Sequence, residues 1–205
     1  IDEALSKKII DMLDGVAKTV DRTTKVMLKT PSCISRMERT GVVSTETAQA
    51  LGAVGMAARS SGVDIDTRFD FNDKWYTSLD VVKPFKATGD VHSRFKLRYK
   101  EIKQSMQIVK KLLEKLKEFS NEPILTNPNK TLAPNAFAIS MTEGWRGEIV
   151  HIALTGANGE LLRYKMKDPS FNNWYMLAMA VRNNGVSDFP LCNKSFNLSY
   201  CGNDL

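Results

Sequence analysis

Long apolar runs are missing from this chain of 205 residues: no stretch approaches the roughly 20 consecutive apolar residues that a bilayer-crossing helix needs. Its opening Ile1-Asp2-Glu3 also lacks the basic-then-apolar pattern of a secretory leader, so any membrane connection is expected to run through partners. Cysteine is scarce. Cys33, Cys192 and Cys201 make an odd count with no Cys-x-x-Cys spacing, which argues against a disulfide framework and an ordinary zinc site and fits a reducing compartment. Only two histidines are present and no serine sits in a Gly-x-Ser-x-Gly turn, which removes the basis for a hydrolase triad. Gly52, Gly55 and Gly62 do not form the Gly-x-Gly-x-x-Gly fingerprint of a dinucleotide site.

What remains is the composition of an ordinary globular domain, 42% hydrophobic and 25% charged, long enough to bury a core without staples. One domain over residues 1–205 is expected. The net charge is +6, and residues 91–120 hold nine Lys or Arg against three Glu, so the excess maps to one segment. That basic helix carries no aromatic stacking platform on its charged face, and nucleic acid is not an expected partner.

Leu5, Ile9, Met12, Leu13, Val16, Val20 and Met27 recur at three- and four-residue steps and predict a long amphipathic helix that Pro31 ends. Ser44-Thr45-Glu46 announces a second helix through Ala48, Leu51, Val54 and Ala58, stopped by Gly62, with Gly52 and Gly55 on a close-packing face. Residues 63–89 read as irregular with one short helix. Phe95, Tyr99, Ile102, Met106, Val109, Leu113 and Leu116 predict a third helix whose apolar stripe is buried. Residues 121–135, with three prolines, form a loop. Glu148–Leu154 and Glu160–Met166 are β-prone runs around Asn158-Gly159, a hairpin. Trp174–Val181 reads as a short helix, and the chain from Asn183 on as irregular. The sum is an α+β fold, mainly α: a helix bundle with a small β-hairpin. His92, at the start of the basic helix, is expected to face solvent or act as a cap, and His151 to lie exposed on a strand.

Four blocks are more specific than a generic bundle requires: Gly52–Arg68, Gly89-Asp90-Val91-His92-Ser93-Arg94-Phe95 leading into Arg98–Ser105, Glu143-Gly144-Trp145-Arg146-Gly147-Glu148-Ile149-Val150-His151, and Asp168-Pro169-Ser170-Phe171-Asn172-Asn173-Trp174. In residue content and order they resemble the large subunit of membrane-bound energy-converting nickel-iron hydrogenases, of the formate hydrogenlyase and hydrogenase-4 type, related to the quinone-module subunit of respiratory complex I. The likeness runs from about Arg39 to the end of the sequence.

That resemblance implies a helical large-subunit fold which, in true hydrogenases, holds a nickel-iron cluster between two Cys-x-x-Cys pairs. The first pair is absent here and would lie upstream, making this the carboxyl-terminal portion of a longer chain. The second is expected at Ser199 and Gly202, both changed, with Cys201 one residue out of register. Arg146 takes the position of the family's active-site arginine; the alternative is an ion pair with Asp66 or Glu143 that pins the hairpin to the bundle. Arg59, Asp66 and Arg68 are read as a charge network joining the second helix to the following loop. The expectation is a subunit of a membrane-associated oxidoreductase, inactive alone, on the cytoplasmic face, with no metal or cofactor of its own. A small iron-sulfur subunit would hold the cluster beside it, integral membrane subunits would lie below, and quinone is a candidate ligand of the complex. The competing expectation is a docking module whose basic helix binds an acidic partner protein.

Overall fold

The structure, a computed structural model, describes residues 2–71, 74–79, 81–119, 123, 125 and 131–201. Its first element, α1 (Glu3–Lys29), starts where the Asp2 side chain accepts a hydrogen bond from Leu5 N at 2.7 Å. Pro31 does more than stop it: lacking an N–H, it suits the first turn of a helix, and α2 (Pro31–Met37) begins there.

The expected second helix is two. After α3 (Thr45–Ala50), Gly52 turns left-handed at φ +62°, its N–H donating to Gln49 O while Ala53 N donates to Ala48 O. This pair of bonds is the Schellman closure, which glycine accommodates without a Cβ penalty. α4 (Gly55–Ser60) follows, and the expected stop at Gly62 uses the same device, with Gly62 N to Arg59 O and Val63 N to Ala58 O. The segment read as irregular with one helix contains two short ones, α5 (Thr67–Asp70) and α6 (Lys74–Thr77).

α7 (Val91–Lys115) is the spine, capped by Asp90 through Ser93 N at 2.7 Å. Its stripe is less buried than expected, with Leu113 its one fully buried member. Phe95, Tyr99, Ile102 and Met106 are half-buried, while Val109 and Leu116 are exposed; the fully buried positions are Val91, Ser93, Arg94, Leu97 and Leu113. The reason is Arg94: it turns inward because Gly41 O, Gly89 O and Ser195 Oγ accept from its guanidinium at 2.9, 2.7 and 2.8 Å and Phe196 lies flat beneath it, 4.2 Å away. A polar residue so satisfied occupies the core side of the helix.

Of the Pro-rich loop expected at 121–135, residues 120–122, 124 and 126–130 lie outside the described residues. The hairpin, β2 (Glu148–Thr155) and β3 (Leu161–Lys167), is joined by a strand that periodicity did not reveal, β1 (Phe137–Glu143), giving an antiparallel meander in the order β1-β2-β3. Ile139 pairs with Ile152, and Ile152 with Lys165. Gly159 holds φ +76° in the turn. α8 (Ser170–Ala180) begins before the expected Trp174, and α9 (Phe189–Phe196) replaces part of the expected irregular tail. Met37, Val43, Ala48, Ala58, Met176 and Phe196 lie in one shared core. Among the described residues no helix is long and apolar enough to cross a membrane.

Candidate functional site

Arg59 projects from α4 with its side chain only 2% exposed, a burial that a guanidinium tolerates only when paired. Three carboxylates from three other elements meet it: Asp66 at 3.2 Å, Glu101 of α7 at 2.5 Å and Glu143 of β1 at 2.8 Å, with Ile65 O accepting at 3.0 Å. Arg68 grips Asp66 from the other side through Nε at 2.9 Å and Nη2 at 2.6 Å. Thr67 donates to Glu143 from both its N–H and its hydroxyl, at 3.2 and 3.1 Å. Two cations and three carboxylates thus bind α4, α5, α7 and β1 into one cluster.

Burial raises the Glu143 carboxyl above its ordinary range, and neighbouring Asp66 adds to this against the opposing pull of Arg59. Burial pushes Asp66 the same way, but its bonds to Arg68 and the charge of Arg59 overcome it and hold its carboxyl low. Burial would also ease the proton off Arg59, yet Glu101, Glu143 and Asp66 outweigh it, so Arg59 stays charged.

Next to this cluster the β1–β2 turn closes tightly, with Gly144 N donating to Gly147 O at 2.8 Å and Gly147 N to Gly144 O at 3.2 Å. Its backbone lies directly on α4. A Cβ on Gly55 would fall inside the van der Waals shell of Gly147 Cα, and Gly55 itself stands at φ +65°. Asn173 of α8, fully buried, locks the approach: its Oδ1 accepts from Val54 N at 3.1 Å, and its Nδ2 donates to Val54 O at 3.1 Å and Arg146 O at 3.4 Å.

Arg146 pairs with neither Asp66 nor Glu143, as the ion-pair alternative required; those carboxylates are taken by Arg59 and Arg68. Instead its Nε donates to Asn197 O at 2.5 Å, a carbonyl turned toward it because Asn197 caps α9 in the left-handed region at φ +52°. Trp145 lies between two guanidinium groups, Arg98 at 4.2 Å and Arg146 at 5.1 Å from its ring centre. Arg98 also donates to Ser195 O and Phe196 O at 3.1 and 3.3 Å, and burial with the nearby Arg146 charge pushes its pKa down to about 10. A cavity of about 430 Å³ opens here, with Arg59, Arg68, Glu101 and Glu143 at its polar end and Leu13, Ile102, Met106, Val109 and Trp145 along its apolar walls.

Ser199 is held in the closing segment by Ser170 Oγ, which accepts from Ser199 N at 3.0 Å, and by Trp174 Nε1, which donates to Ser199 O at 3.2 Å. Its hydroxyl is 4.0 Å from the exposed Cys201 thiol; Gly202 lies outside the described residues. Cys192 is no substitute ligand, being fully buried, packed where a Cβ on Gly41 would come within 2.6 Å of its sulfur, and pushed toward the neutral thiol by burial. The described closing segment therefore offers one accessible thiol and one hydroxyl, a donor set that does not match a two-thiolate half of a nickel site. Among the described residues no group of three or more His, Cys, Asp or Glu is placed to hold a metal.

His92 neither faces solvent nor caps: its side chain is 14% exposed, with Nδ1 3.5 Å from Glu38, and Asp90 is the cap. His151 meets the Tyr164 hydroxyl across the β2–β3 pair. Lys103 and Lys110 of the basic helix face Asp21 and Asp14 of α1, at 3.7 and 2.5 Å, so part of the charge proposed for an acidic partner is met within the chain. Glu101, Arg94, Arg98 and Asn173 lie in the blocks singled out in the sequence, which assign them no role; the three-residue step from Arg98 to Glu101 on one helix face was the available signal.

The family model described as "Respiratory-chain NADH dehydrogenase, 49 Kd subunit" matches residues 1–138. Formate hydrogenlyase subunit 5 of Escherichia coli (strain K12) is 30% identical over 187 residues, covering 91% of this chain and 32% of that protein. Membrane-bound hydrogenase subunit alpha of Pyrococcus furiosus is 30% identical, with 92% and 47% covered. An NADH-quinone oxidoreductase subunit of Akkermansia muciniphila is 26% identical, with 96% and 53% covered. The chain thus spans between about a third and about a half of these relatives. In fold it matches a chain of the membrane-bound sulfane sulfur reductase, an archaeal respiratory membrane complex, at a TM-score of 0.81 and 21% identity, covering 98% of this chain and 55% of that one.

Proposed function

Because the chain belongs to the respiratory-chain NADH dehydrogenase 49 Kd subunit family, we propose that it forms part of the large subunit of a multisubunit membrane-associated oxidoreductase of the formate hydrogenlyase, hydrogenase-4 or NADH-quinone oxidoreductase kind. Its role there is electron transfer or scaffolding, with no nickel-iron site of its own. The observation that supports this best is the meeting of Arg146 with Asn197 O. Two segments singled out separately in the sequence, the Glu-x-x-Arg-Gly turn and the closing segment, come together along one edge, where the resemblance places an active centre. Arg146 is retained there while the thiolates are reduced to Cys201.

Soft, anionic thiolates select nickel over hard cations; the neutral hydroxyl of Ser199 does neither. The proposed subunit therefore relies on an iron-sulfur cluster in a small neighbouring subunit, with integral membrane subunits anchoring the complex to the cytoplasmic face and quinone as a candidate acceptor. What the chain's own residues supply is a cross-linked support: Arg59 and its carboxylates tie β1 to α4 and α7, and Asn173 ties down the turn that carries Arg146.

Affinity purification of the full-length subunit from detergent-solubilised native membranes is the test. Co-purification of an iron-sulfur protein and integral membrane proteins is expected. Recovery of a soluble acidic partner with no redox centre would favour the docking module and end the present assignment. Stoichiometric nickel in the full-length subunit, made with a complete hydrogenase maturation system, would overturn the metal-free reading.

A further inference from the structure

We propose that the outer face of α1 between Lys18 and Lys29 is a contact surface for the anionic phospholipid headgroups of a membrane. Lys18, Arg22, Lys25 and Lys29 succeed one another at steps of four, three and four, which places them on one side of a helix over about 16 Å. All four are exposed and line one shallow groove with Asp21 and Val26. Among the described residues none of the four is ion-paired, in contrast to Lys103 and Lys110 on the neighbouring helix. Lys103 of α7 adjoins the stripe through its 3.7 Å approach to Asp21. Asp21, the one carboxylate within the stripe, is already engaged: the Tyr99 hydroxyl donates to it at 2.6 Å, and that bond, with Lys103 and Lys25, holds its carboxyl below the ordinary range despite the opposing effect of burial. The first half of α1 has the reverse balance, with Asp2, Glu3, Asp11 and Asp14 against Lys7 and Lys8. Charge on α1 is segregated along its length.

The chemistry of the stripe selects among polyanions. Protein interfaces are built around apolar cores from which lysine is depleted, and Val26 is the only apolar residue in this groove. Single-stranded nucleic acid calls for aromatic stacking platforms, and the groove has none. A headgroup layer needs neither: flexible lysines reach phosphates as point charges, and a straight helical stripe meets a planar surface along its whole length. The surface rests on this charge geometry and not on membership of a complex, so the two can fail separately.

The experiment is co-sedimentation of the chain with phosphatidylcholine vesicles, with and without phosphatidylglycerol, at low and high salt. Binding is expected only to the anionic vesicles and should fade as salt screens it. Each neutralised cation should weaken it about fivefold, so the combined variant Lys18→Gln, Arg22→Gln, Lys25→Gln loses about a hundredfold. These side chains are exposed on the helix surface, and an unchanged circular dichroism spectrum should accompany the loss. Arg163→Gln with Lys165→Gln, on exposed β3 positions, serves as the control and should bind like the parent. Equal binding to neutral vesicles, an unaffected triple variant, or loss only in the β3 control would overturn the proposal. So would binding of an oligonucleotide or of polyglutamate by a chain that ignores anionic vesicles. Failure of the vesicle arms leaves the assignment to a membrane-associated complex standing, whereas a subunit that purifies without membrane proteins sinks that assignment and not this surface.

Discussion

The two ends of the three-stranded sheet are built on opposite principles. At the Gly147 end, Val150 is 9% exposed and the Glu143 side chain 5%, and the strands are clamped by Arg59, Thr67 and Asn173. At the other end Phe137 is 61%, Ile139 52%, Leu161 53% and Leu162 61% exposed. The same ladder of backbone bonds runs through both. The ladder is common to both ends, so what distinguishes them is what the side chains and turn backbone meet; a small sheet without a covered face is marginal in water, and the clamped end is expected to be the more stable.

Breaking the clamped end should have the largest effect. Gly55→Ala places a Cβ against the backbone of Gly147 at a positive φ, and neither chain can yield cheaply; a loss of about 4 kcal/mol or more is expected. A denaturant midpoint near that of the parent would show that the two backbones separate freely. Arg59→Met comes next. It leaves Asp66, Glu101 and Glu143 without their shared cation, and removing one partner of a buried charge cluster costs about 3–5 kcal/mol; a loss under about 1 kcal/mol by chemical denaturation would mean that water already reaches the cluster.

Acid should act on the same end. Burial works to raise Asp66, but Arg68 and Arg59 prevail, so its folded value lies below its unfolded one and its contribution is present at neutral pH and lost as pH falls through the folded value. Glu143, raised chiefly by burial, runs the other way, gaining as pH falls toward its ordinary range. Stability measured by urea titration should therefore decline steeply only below pH about 4, and Asp66→Asn should flatten that decline. An equal slope in the variant would place the acid-labile group elsewhere.

At the open end the expected effects shrink. Gly159→Val, at φ +76° and with a Cβ directed at Leu132 O, should cost about 1–2 kcal/mol, and it should accelerate hydrogen exchange in β2 and β3 more than in α4. Ile139→Ser, on the exposed face, should change stability by no more than about 0.5 kcal/mol. A drop of about 2 kcal/mol in that variant would mean that the face is covered in solution, and the comparison between the two ends would collapse.

Features set by local chemistry were legible in the sequence: α1 and α7 from their apolar spacing, the stop at Gly62, and the left-handed turn at Gly159. Features set by tertiary partners were not. The apolar alternation of Phe137, Ile139 and Met141 becomes a strand only by pairing with Leu154, Ile152 and Val150, and the three-residue step between Phe189 and Cys192 is too short a signal to announce α9. The inward turn of Arg94 reverses the ordinary expectation for a basic residue, since Gly41 O and Ser195 Oγ from distant segments, with the nearby Gly89 O, make its burial tolerable. At the candidate site, Arg59, Asp66 and Arg68 were singled out because they are close in sequence. Glu101 and Glu143, which complete the cluster, lie 42 and 84 residues from Arg59, and periodicity carries no information over such spans.

The Asn173 amide has a consequence for the order in which the chain can be assembled. Val54 and its bonding partner are 119 residues apart. On a ribosome adding about 5–20 residues per second, α4 emerges on the order of ten seconds before the residue that closes it. For the earlier parts of that interval Arg59 lacks first both Glu101 and Glu143 and then Glu143 alone, and Gly55 has no Gly147 to rest on until the β1–β2 turn has been made. The Val54–Asn173 joint is thus among the last to form, leaving the nascent chain with an exposed, unfilled seam until α8 has been synthesised.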